Sequence, residues 1–175
     1  MDHPPIRLAV PQDATAIFAL RGQLEDWLAS RAVVQWEPGE VALDNIVAQV
    51  KDGEWHVAAE GESLLGALRL LWADEPVWRE EDRFAAYVHG LMVPRCRAGN
   101  GLGAALLSWA ERQAQWKNAP SLRLDCVEAN LRLREYYASL GFREVGRRDF
   151  DGPWYSATLF EKTPAVLLAA GVPLG

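Results

Sequence analysis

The stretch from Tyr87 to Trp109 constrains the fold more than any other part of the sequence, because it predicts a buried strand, a glycine-rich turn and the start of a helix. Gly99, Gly101 and Gly103 lack a Cβ, so the backbone can curl tightly and bring its N–H groups against an anion. The residues that follow, 104–107, are strong helix formers, so the helix dipole points its positive end at the turn. The stretch therefore predicts an anion site, most simply for a phosphate.

Size and composition predict one compact domain. The chain has 175 residues, of which 50% are hydrophobic and 24% charged, enough for a full core. We expect a single domain over residues 1–175, with its core at 6–162 and an apolar tail at 163–175. The net charge of −6 and the pI near 5.1 argue against a nucleic-acid surface and mildly favour a cationic partner.

The cellular location of the protein is indicated only by sequence features that are missing. The first residues carry no long apolar run behind a basic segment, so we expect no signal peptide. The apolar run Ala165 to Ala170 is too short to cross a bilayer, so no membrane partner is expected. Cys96 and Cys126 are too few for a disulfide framework or a zinc site. We therefore expect a cytoplasmic protein without a metal.

Hydrophobic periodicity and turn residues predict the element order β-α-α-β-β-β, glycine turn, α, β, α, β, β. The predicted strands are Ile6–Val10, Glu54–Glu60, Ser63–Trp72, Phe84–Val93, Leu122–Val127, Phe142–Arg148 and Tyr155–Glu161, the last two around a turn at Asp151-Gly152-Pro153. In the strand before the glycine turn, alternation places Tyr87, His89, Leu91 and Val93 on one face. Gly90 interrupts this strand and indicates a bulge or a close approach of another group.

The segment Ala73 to Arg83 is rich in acidic residues, among them Asp74 and Glu75. Surface acids are ordinary, so one interpretation is a solvated connection. The other is a surface that attracts an amine.

The glycine turn could also belong to one of two nucleotide-binding folds, a dinucleotide-binding fold or a P-loop. The letters Gly99-x-Gly101-x-x-Ala104, with Asp125 downstream, satisfy the dinucleotide-binding fingerprint. In that fold, however, the first glycine follows the strand almost directly, whereas here residues 94–98 intervene and too few strand-helix units remain. A dinucleotide-dependent oxidoreductase is therefore improbable. A P-loop is excluded because no Gly-Lys-Ser or Gly-Lys-Thr follows the glycines.

The complete element order, with three motifs, resembles the GNAT superfamily of acyl-CoA-dependent N-acetyltransferases. The motifs are the loop from Val93 to Gly103, Asn130 at the start of the next helix, and Tyr137-Ala-Ser-Leu-Gly141-Phe142. The resemblance covers about residues 6 to 162. It implies an α/β (α+β) domain with a mixed, mostly antiparallel, twisted sheet of about seven strands, helices on both faces, and a cofactor cleft between splayed central strands.

The sequence departs from the family's pattern at Ala98, because that loop position usually holds Arg or Gln. Binding through backbone N–H groups does not need this side chain, and Arg95 and Arg97 are close enough to supply charge. Both arginines are equally compatible with a solvated surface.

The resemblance implies acetyl transfer from acetyl-CoA to a primary amine, and it implies roles for particular residues. The cofactor would be bound by Leu91, Met92, Val93, Ala98, Gly99, Asn100, Gly101, Leu102, Gly103 and Asn130. Tyr137 matches the tyrosine that protonates the departing thiolate in many members, although Tyr136 is its neighbour and Tyr137 could instead only pack. A backbone N–H near Leu91, exposed by a kink at Gly90, would stabilise the oxyanion.

The general base is the least determined role. His89 lies two residues before Leu91, which places it on the same face, and its ordinary pKa near 6.5 suits removal of a proton from an amine. A histidine in a strand can also be purely structural. Glu60, Asp125 and Glu128 are further candidates.

The acceptor cannot be read from the sequence. Trp27, Trp36, Trp72 and Trp78 are placed where the family forms its acceptor side, although each can equally belong to the core. A catalytically silent acyl-CoA-binding module is an alternative function. Family members often dimerise, so a homodimer that uses the apolar tail is also possible.

Overall fold

The computed structural model describes residues 4–79, 84–151 and 155–164. Within them the strands are β1 (Ile6–Leu8), β2 (Trp55–Glu60), β3 (Ser63–Leu71), β4 (Ala86–Met92), β5 (Leu122–Val127), β6 (Arg143–Arg148) and β7 (Ala157–Lys162). The helices are α1 (Ala14–Ser30), α2 (Leu43–Lys51), the single turn α3 (Glu75–Trp78), α4 (Leu102–Trp116) and α5 (Leu131–Ser139). This is the predicted element order, with α3 added inside the segment predicted to be an acidic loop.

The described strands form one seven-stranded sheet in the order β1-β2-β3-β4-β5-β7-β6. Only β4 and β5 pair in parallel, and every other described pair is antiparallel. The α/β class and the mixed, mostly antiparallel sheet are confirmed. A dinucleotide-binding sheet would instead be mostly parallel, so that hypothesis is wrong for this chain.

Two apolar clusters cover the two faces of the sheet. On one face α4 and α5 pack through Leu106, Leu107 and Tyr137 against sheet residues such as Val88 and Leu124. On the other face α1 and α2 pack through residues such as Ile17, Leu24, Ile46 and Val50 against Trp55, Val57 and Met92. The central strands are thus covered on both sides, which agrees with their nearly continuous apolar sequences.

Several predicted boundaries differ from the observed ones. β1 ends at Leu8 instead of Val10, because Pro11 opens a 3-10 turn. β7 begins at Ala157, and the predicted turn at residues 151–153 falls partly outside the described residues. The apolar tail 165–175 lies outside them entirely. No helix of the described ranges is both long and apolar enough to span a bilayer.

Candidate active site

The central strands β4 and β5 separate part-way along their length. Their pairing runs from Ala86 with Leu122 to Val88 with Leu124, and then ends. β4 nevertheless stays paired with β3 as far as Met92, and β5 stays paired with β7 as far as Val127. Beyond Val88 the two strands therefore present facing edges that are not bonded to each other. This opening is the splay that the sequence resemblance implied.

A β-bulge at Gly90 shapes one edge of this opening. Ala67 pairs with Met92 and Arg69 pairs with His89, so three steps along β4 match two steps along β3. Gly90 has φ +55°, and a Cβ there would lie 2.7 Å from Cη2 of Trp55. Both the left-handed backbone and the close indole require glycine. The interpretation of Gly90 as a bulge with a close approach is confirmed.

The bulge also corrects the predicted alternation along β4. Paired residues share a face, so His89 and Met92 lie on the same side as Arg69 and Ala67. Leu91 packs instead against the cluster beneath α4 and α5. His89 and Leu91 therefore lie on opposite faces, because the extra residue of a bulge reverses the alternation.

His89 lies between two carboxylates on the α1/α2 face. Its Nε2 is 2.9 Å from Oδ2 of Asp74, and its Nδ1 is 3.5 Å from Oδ1 of Asp125. Burial by itself lowers the pKa of His89. The hydrogen bond to Asp74 and the negative charges of both carboxylates outweigh burial and the positive charge of Arg69, so the pKa is raised.

Asp74 is buried and Asp125 is partly buried. Asp74 is only 6% exposed, so the interpretation of its segment as a solvated connection is wrong at this residue. Burial raises the pKa of Asp125, the charge of Asp74 raises it further, and only the charge of His89 opposes them. The three ligand atoms lie within 4.8 Å of one another. However, the two carboxylates face opposite ring nitrogens, as acids that orient a histidine do, whereas metal ligands converge on one point.

The tyrosine pair of α5 lies on the other face of the sheet. Tyr137 is 5% exposed, and its ring packs edge-on against Phe142 and Phe160 at centroid distances of 6.0 and 5.7 Å. Burial raises the pKa of Tyr137, and nearby Cys126 and Asp125 raise it further. Tyr136 is half-buried, and its hydroxyl would be 2.8 Å from a Cβ at Gly103. Thus Tyr137 faces the apolar core and Tyr136 reaches the start of α4.

The glycine loop, residues 94–101, joins β4 to α4. It contains one 3-10 turn, Arg95–Arg97, and its glycines Gly99 and Gly101 have φ of +84° and +80°. The first N–H groups of α4 have no partner within the helix and point back at the loop. This is the geometry of an anion site.

The charged side chains around the loop differ in their contacts. The guanidinium of Arg95 lies 3.8 Å from the ring centroid of Trp27, so it ties the loop to α1. Ala98 is exposed in an ordinary extended conformation, φ −65° and ψ 142°, which any residue adopts. The side chain of Arg97 is exposed and forms no hydrogen bond, ion pair or ring contact with any described residue.

Asn130 connects α5 to a distant loop. Its Oδ1 accepts from the backbone N–H of Leu133, 3.2 Å away, so it caps α5. Its Nδ2 donates to Oε1 of Gln35 at 3.1 Å, and the N–H of Val127 donates to the same oxygen at 3.3 Å. Gln35 therefore holds the connection between α1 and α2 against the end of β5.

An ion-pair network supports the same connection. Arg21 is buried and donates to Glu25 at 2.6 Å and to Glu40 at 2.7 Å, while its guanidinium covers the ring of Trp36 at 3.8 Å. Glu25 also accepts from the N–H of Gly39. Burial raises the pKa of Glu40, although the charge of Arg21 opposes this.

Beside this network lies a cavity of about 80 Å³. Its lining includes His89 and Gly90 from β4, together with Trp55, Arg69 and Arg21. Arg69 pairs with Glu54 through Nε at 2.7 Å. The cavity therefore gives His89 an open side between the strands and α2.

The model of the Acetyltransferase (GNAT) family matches residues 21–142 of the chain. The chain belongs to the GNAT family. A curated relative, named an uncharacterized N-acetyltransferase, YesJ, of Bacillus subtilis (strain 168), is 32% identical over 161 residues, which cover 88% of this chain and 87% of the relative.

Solved acetyltransferase structures have the same fold. A GNAT-family acetyltransferase from Listeria monocytogenes 4b F2365 is 27% identical, with a TM-score of 0.75 over 91% of this chain and 94% of that one. The structure of yncA, a putative acetyltransferase from Salmonella typhimurium with its cofactor acetyl-CoA, is 20% identical, with a TM-score of 0.69 over 98% and 99% of the two chains. GNAT membership and an acyltransferase class of enzyme, both predicted from the sequence, are confirmed.

Within this GNAT domain the predicted site residues fall into three groups. The first group lines or follows the opening and consists of His89, Leu91, Met92 and Val93. The second group, residues 98–103, forms the loop and the start of α4 at the end of the opening. The third group approaches from α5 and its cap and consists of Tyr137 and Asn130. Two alternative base candidates do not fit: Glu60 ends β2 at an exposed hairpin turn, and Glu128 pairs with Arg147. Asp125, the third, faces His89.

Asp74 was not predicted from the sequence of this GNAT domain as a partner of His89, and Gln35, Trp55 and Arg69 were not predicted as residues of the site. Asp74 carries a usable signal, because it is an acid in the segment for which one interpretation is a surface that attracts an amine. For the other three the sequence offers no local signal.

Proposed function

We propose that this chain transfers an acetyl group from acetyl-CoA to a primary amine by direct attack of the amine on the thioester. The observation that carries the proposal is the opening between β4 and β5. Val88 and Leu124 close it at one end, and the glycine loop follows its other end. A candidate acid approaches it from the α5 face and a candidate base from the α1/α2 face. A reaction at the opening can thus use both sides of the sheet.

The residues around the opening fit acetyl-CoA. The N–H groups at Gly101 to Gly103 would bind its pyrophosphate, and residues 98–100 shape the turn that presents them. The unpaired edge of β4 at Leu91, Met92 and Val93 would bind the amides of the pantetheine arm as an added strand does. Asn130 would contribute its amide if Gln35 gave way. Arg97 is the exposed cation available to the phosphates.

The proposed base is His89, which would take a proton from the attacking amine. The bulge supports a donor for the oxyanion, because it turns a backbone N–H near Leu91 out of the regular ladder. This donor would act only as charge develops on the carbonyl oxygen.

The proposed acid is Tyr137, which would protonate the departing thiolate. Its raised pKa keeps the phenol protonated at neutral pH, so a proton is available for the sulfur. The hydroxyl of Tyr137 forms no hydrogen bond with any described residue. Tyr136 is the competing residue, and its hydroxyl points to Gly103 instead.

The test is a panel of amines incubated with acetyl-CoA while free thiol is measured. Release that depends on the amine, with acetylated amine recovered by mass spectrometry, is the expected result. Binding of acetyl-CoA without release for any amine would leave the silent acyl-CoA-binding module as the function.

Tyr137→Phe tests the acid, with Tyr136→Phe as its matched control. We expect Tyr137→Phe to lower kcat by about 10²-fold, the lower range for a general acid, without changing the Kd for acetyl-CoA. Tyr136→Phe should leave kcat within a few-fold of wild type. The opposite ranking would assign the acid to Tyr136.

A further inference from the structure

Asp125 has a buried oxygen without a partner. Its Oδ1 accepts no hydrogen bond from any described residue. The nearest donor candidate is Nδ1 of His89, and 3.5 Å is too long for a well-formed hydrogen bond. A buried, unsatisfied acceptor is costly for a protein to retain. Asp125 is also the first residue of β5 beyond the pairing with β4, so this residue lies where the opening begins.

Asp74 determines what Nδ1 of His89 can do. The carboxylate of Asp74 can only accept, so the 2.9 Å bond to Nε2 places a proton on that nitrogen. In neutral His89 the other nitrogen, Nδ1, must then carry the lone pair. Two acceptors consequently face each other, and they need a donor between them.

We propose that Nδ1 of His89 and Oδ1 of Asp125 form an ammonium site that binds the amino group of the acceptor, and that Asp74 is the positioning residue of this site. The inference rests on the proposed function, because it concerns the amine of that reaction. A nitrogen about 2.9 Å from both atoms fits their separation. A primary ammonium has three N–H groups, so it can donate one to each of the two acceptors and still have a third N–H group. A quaternary ammonium has none and does not fit.

The site also defines the path of the proton. One N–H proton of the bound ammonium moves to Nδ1, which turns His89 into an imidazolium whose Nε2–H stays on Asp74. The neutral amine keeps its bond to Asp125 and gains the lone pair that attacks the thioester carbonyl. Asp125 therefore touches the substrate, whereas Asp74 acts through His89.

In the free enzyme a proton and an ammonium compete for the same place. The charged groups that face His89 are Asp74 after β3, Asp125 on β5 and Arg69 on β3. Together with burial they leave the His89 pKa raised, so at low pH a proton on Nδ1 lies between the two acceptors. Amine binding must displace this proton. The affinity for an alkylammonium should therefore increase with pH up to the titration of the amine itself.

The experiment follows the His89 ring by NMR, in a chain with three histidines, assigned with His89→Gln. The probes are n-butylammonium, butyltrimethylammonium, which has charge but no N–H, and neutral n-butanol. We expect only n-butylammonium to shift the His89 signals and to lower its pKa, by roughly one unit, as a neighbouring like charge does. Equal shifts with butyltrimethylammonium, or no shift with n-butylammonium, would overturn the ammonium site.

The variants are Asp125→Asn and Asp74→Asn, with the exposed Asp52→Asn as control. Asp125→Asn should abolish the butylammonium shift and raise the KM for the amine about 10-fold or more, with the KM for acetyl-CoA unchanged. Asp74→Asn should move the pH profile of kcat/KM to lower pH, which a purely structural role would not do. A butylammonium shift retained in Asp125→Asn would refute the assignment of that residue.

The two proposals can fail separately. Butylammonium binding without thiol release for any amine would remove the transferase while the ammonium site stands. Amine-dependent thiol release without the His89 shift, or with an unchanged amine KM in Asp125→Asn, would remove the ammonium site while the transferase stands.

Discussion

Replacement of Gly90 by alanine tests how tightly the bulge is built. The residue has φ +55°, and a left-handed backbone costs an L-residue roughly 1–2 kcal/mol. The new Cβ would lie 2.7 Å from Cη2 of Trp55, a ring that is only 5% exposed. Overpacking of this kind typically costs about 1–3 kcal/mol. We therefore expect Gly90→Ala to lower the free energy of unfolding by about 2–5 kcal/mol.

Gly61→Ala is the matched control, because Gly61 has almost the same φ angle as Gly90. Gly61 has φ +58°, and nothing lies within 4 Å of a Cβ there. Its substitution should lower the free energy of unfolding only by the cost of a left-handed backbone, about 1–2 kcal/mol. For a domain of this size each kcal/mol lowers Tm by about 2–4 °C, so both changes are measurable by urea and thermal unfolding.

A third variant isolates the contact. Trp55→Phe removes Cη2, together with the indole hydrogen bond to Gln49 at 2.9 Å. Combined with Gly90→Ala it should show a favourable coupling of about 1 kcal/mol in a double-mutant cycle. Equal losses of unfolding free energy in Gly90→Ala and Gly61→Ala, or a coupling of zero, would show that contact with the indole does not destabilise a side chain at position 90.

Two further predictions concern the surroundings of the opening. Gln35→Ala should lower stability by roughly 1–2 kcal/mol and speed amide exchange at Val127, because the N–H of Val127 and Nδ2 of Asn130 both lose their acceptor; unchanged exchange would contradict this. The second concerns pH. The raised pKa of His89 contributes stability that is fully present below about pH 6.5, its unfolded value, and is lost as pH rises through the folded pKa. In Asp74→Asn the effect of burial on the His89 pKa is no longer outweighed, so the pKa is not raised. The free energy of unfolding, measured with urea, should therefore fall less between pH 6 and pH 9 than it does in wild type. An equal fall in wild type and Asp74→Asn would contradict the proposed coupling.

The fold could be predicted from sequence because its signals are local. Gly99 to Gly103, Asn130 and the motif at Tyr137 each occupy a short segment, and the periodicity between them gives the element order. Gly90 even indicated its bulge. The sequence did not reveal how the bulge changes the faces of the strand. Regular alternation counts every residue, so it places His89 and Leu91 on one face, whereas the pairing with β3 leaves one residue of β4 without a partner.

The chemistry of His89 could be predicted only in part, because its partners come from other elements. Asp74 follows β3 and Asp125 lies on β5, and neither spacing in the sequence says that they meet at one imidazole. An acid in a polar segment is usually solvated, so composition favoured the wrong interpretation of Asp74. Burial decides this, and burial depends on the packing of the whole chain.

The bonds of the α1–α2 connection have a consequence for the time at which the site forms during synthesis. Gln35 binds residues 92 and 95 positions later, and Glu37 accepts from Tyr155, 118 positions later. A ribosome adds about 5–20 residues per second, so roughly 5–20 s separate the synthesis of Gln35 from that of Asn130. During this interval the connection has no strand β5 against which to settle. The α1–α2 connection is therefore among the first parts of this enzyme to be synthesised and among the last to be assembled.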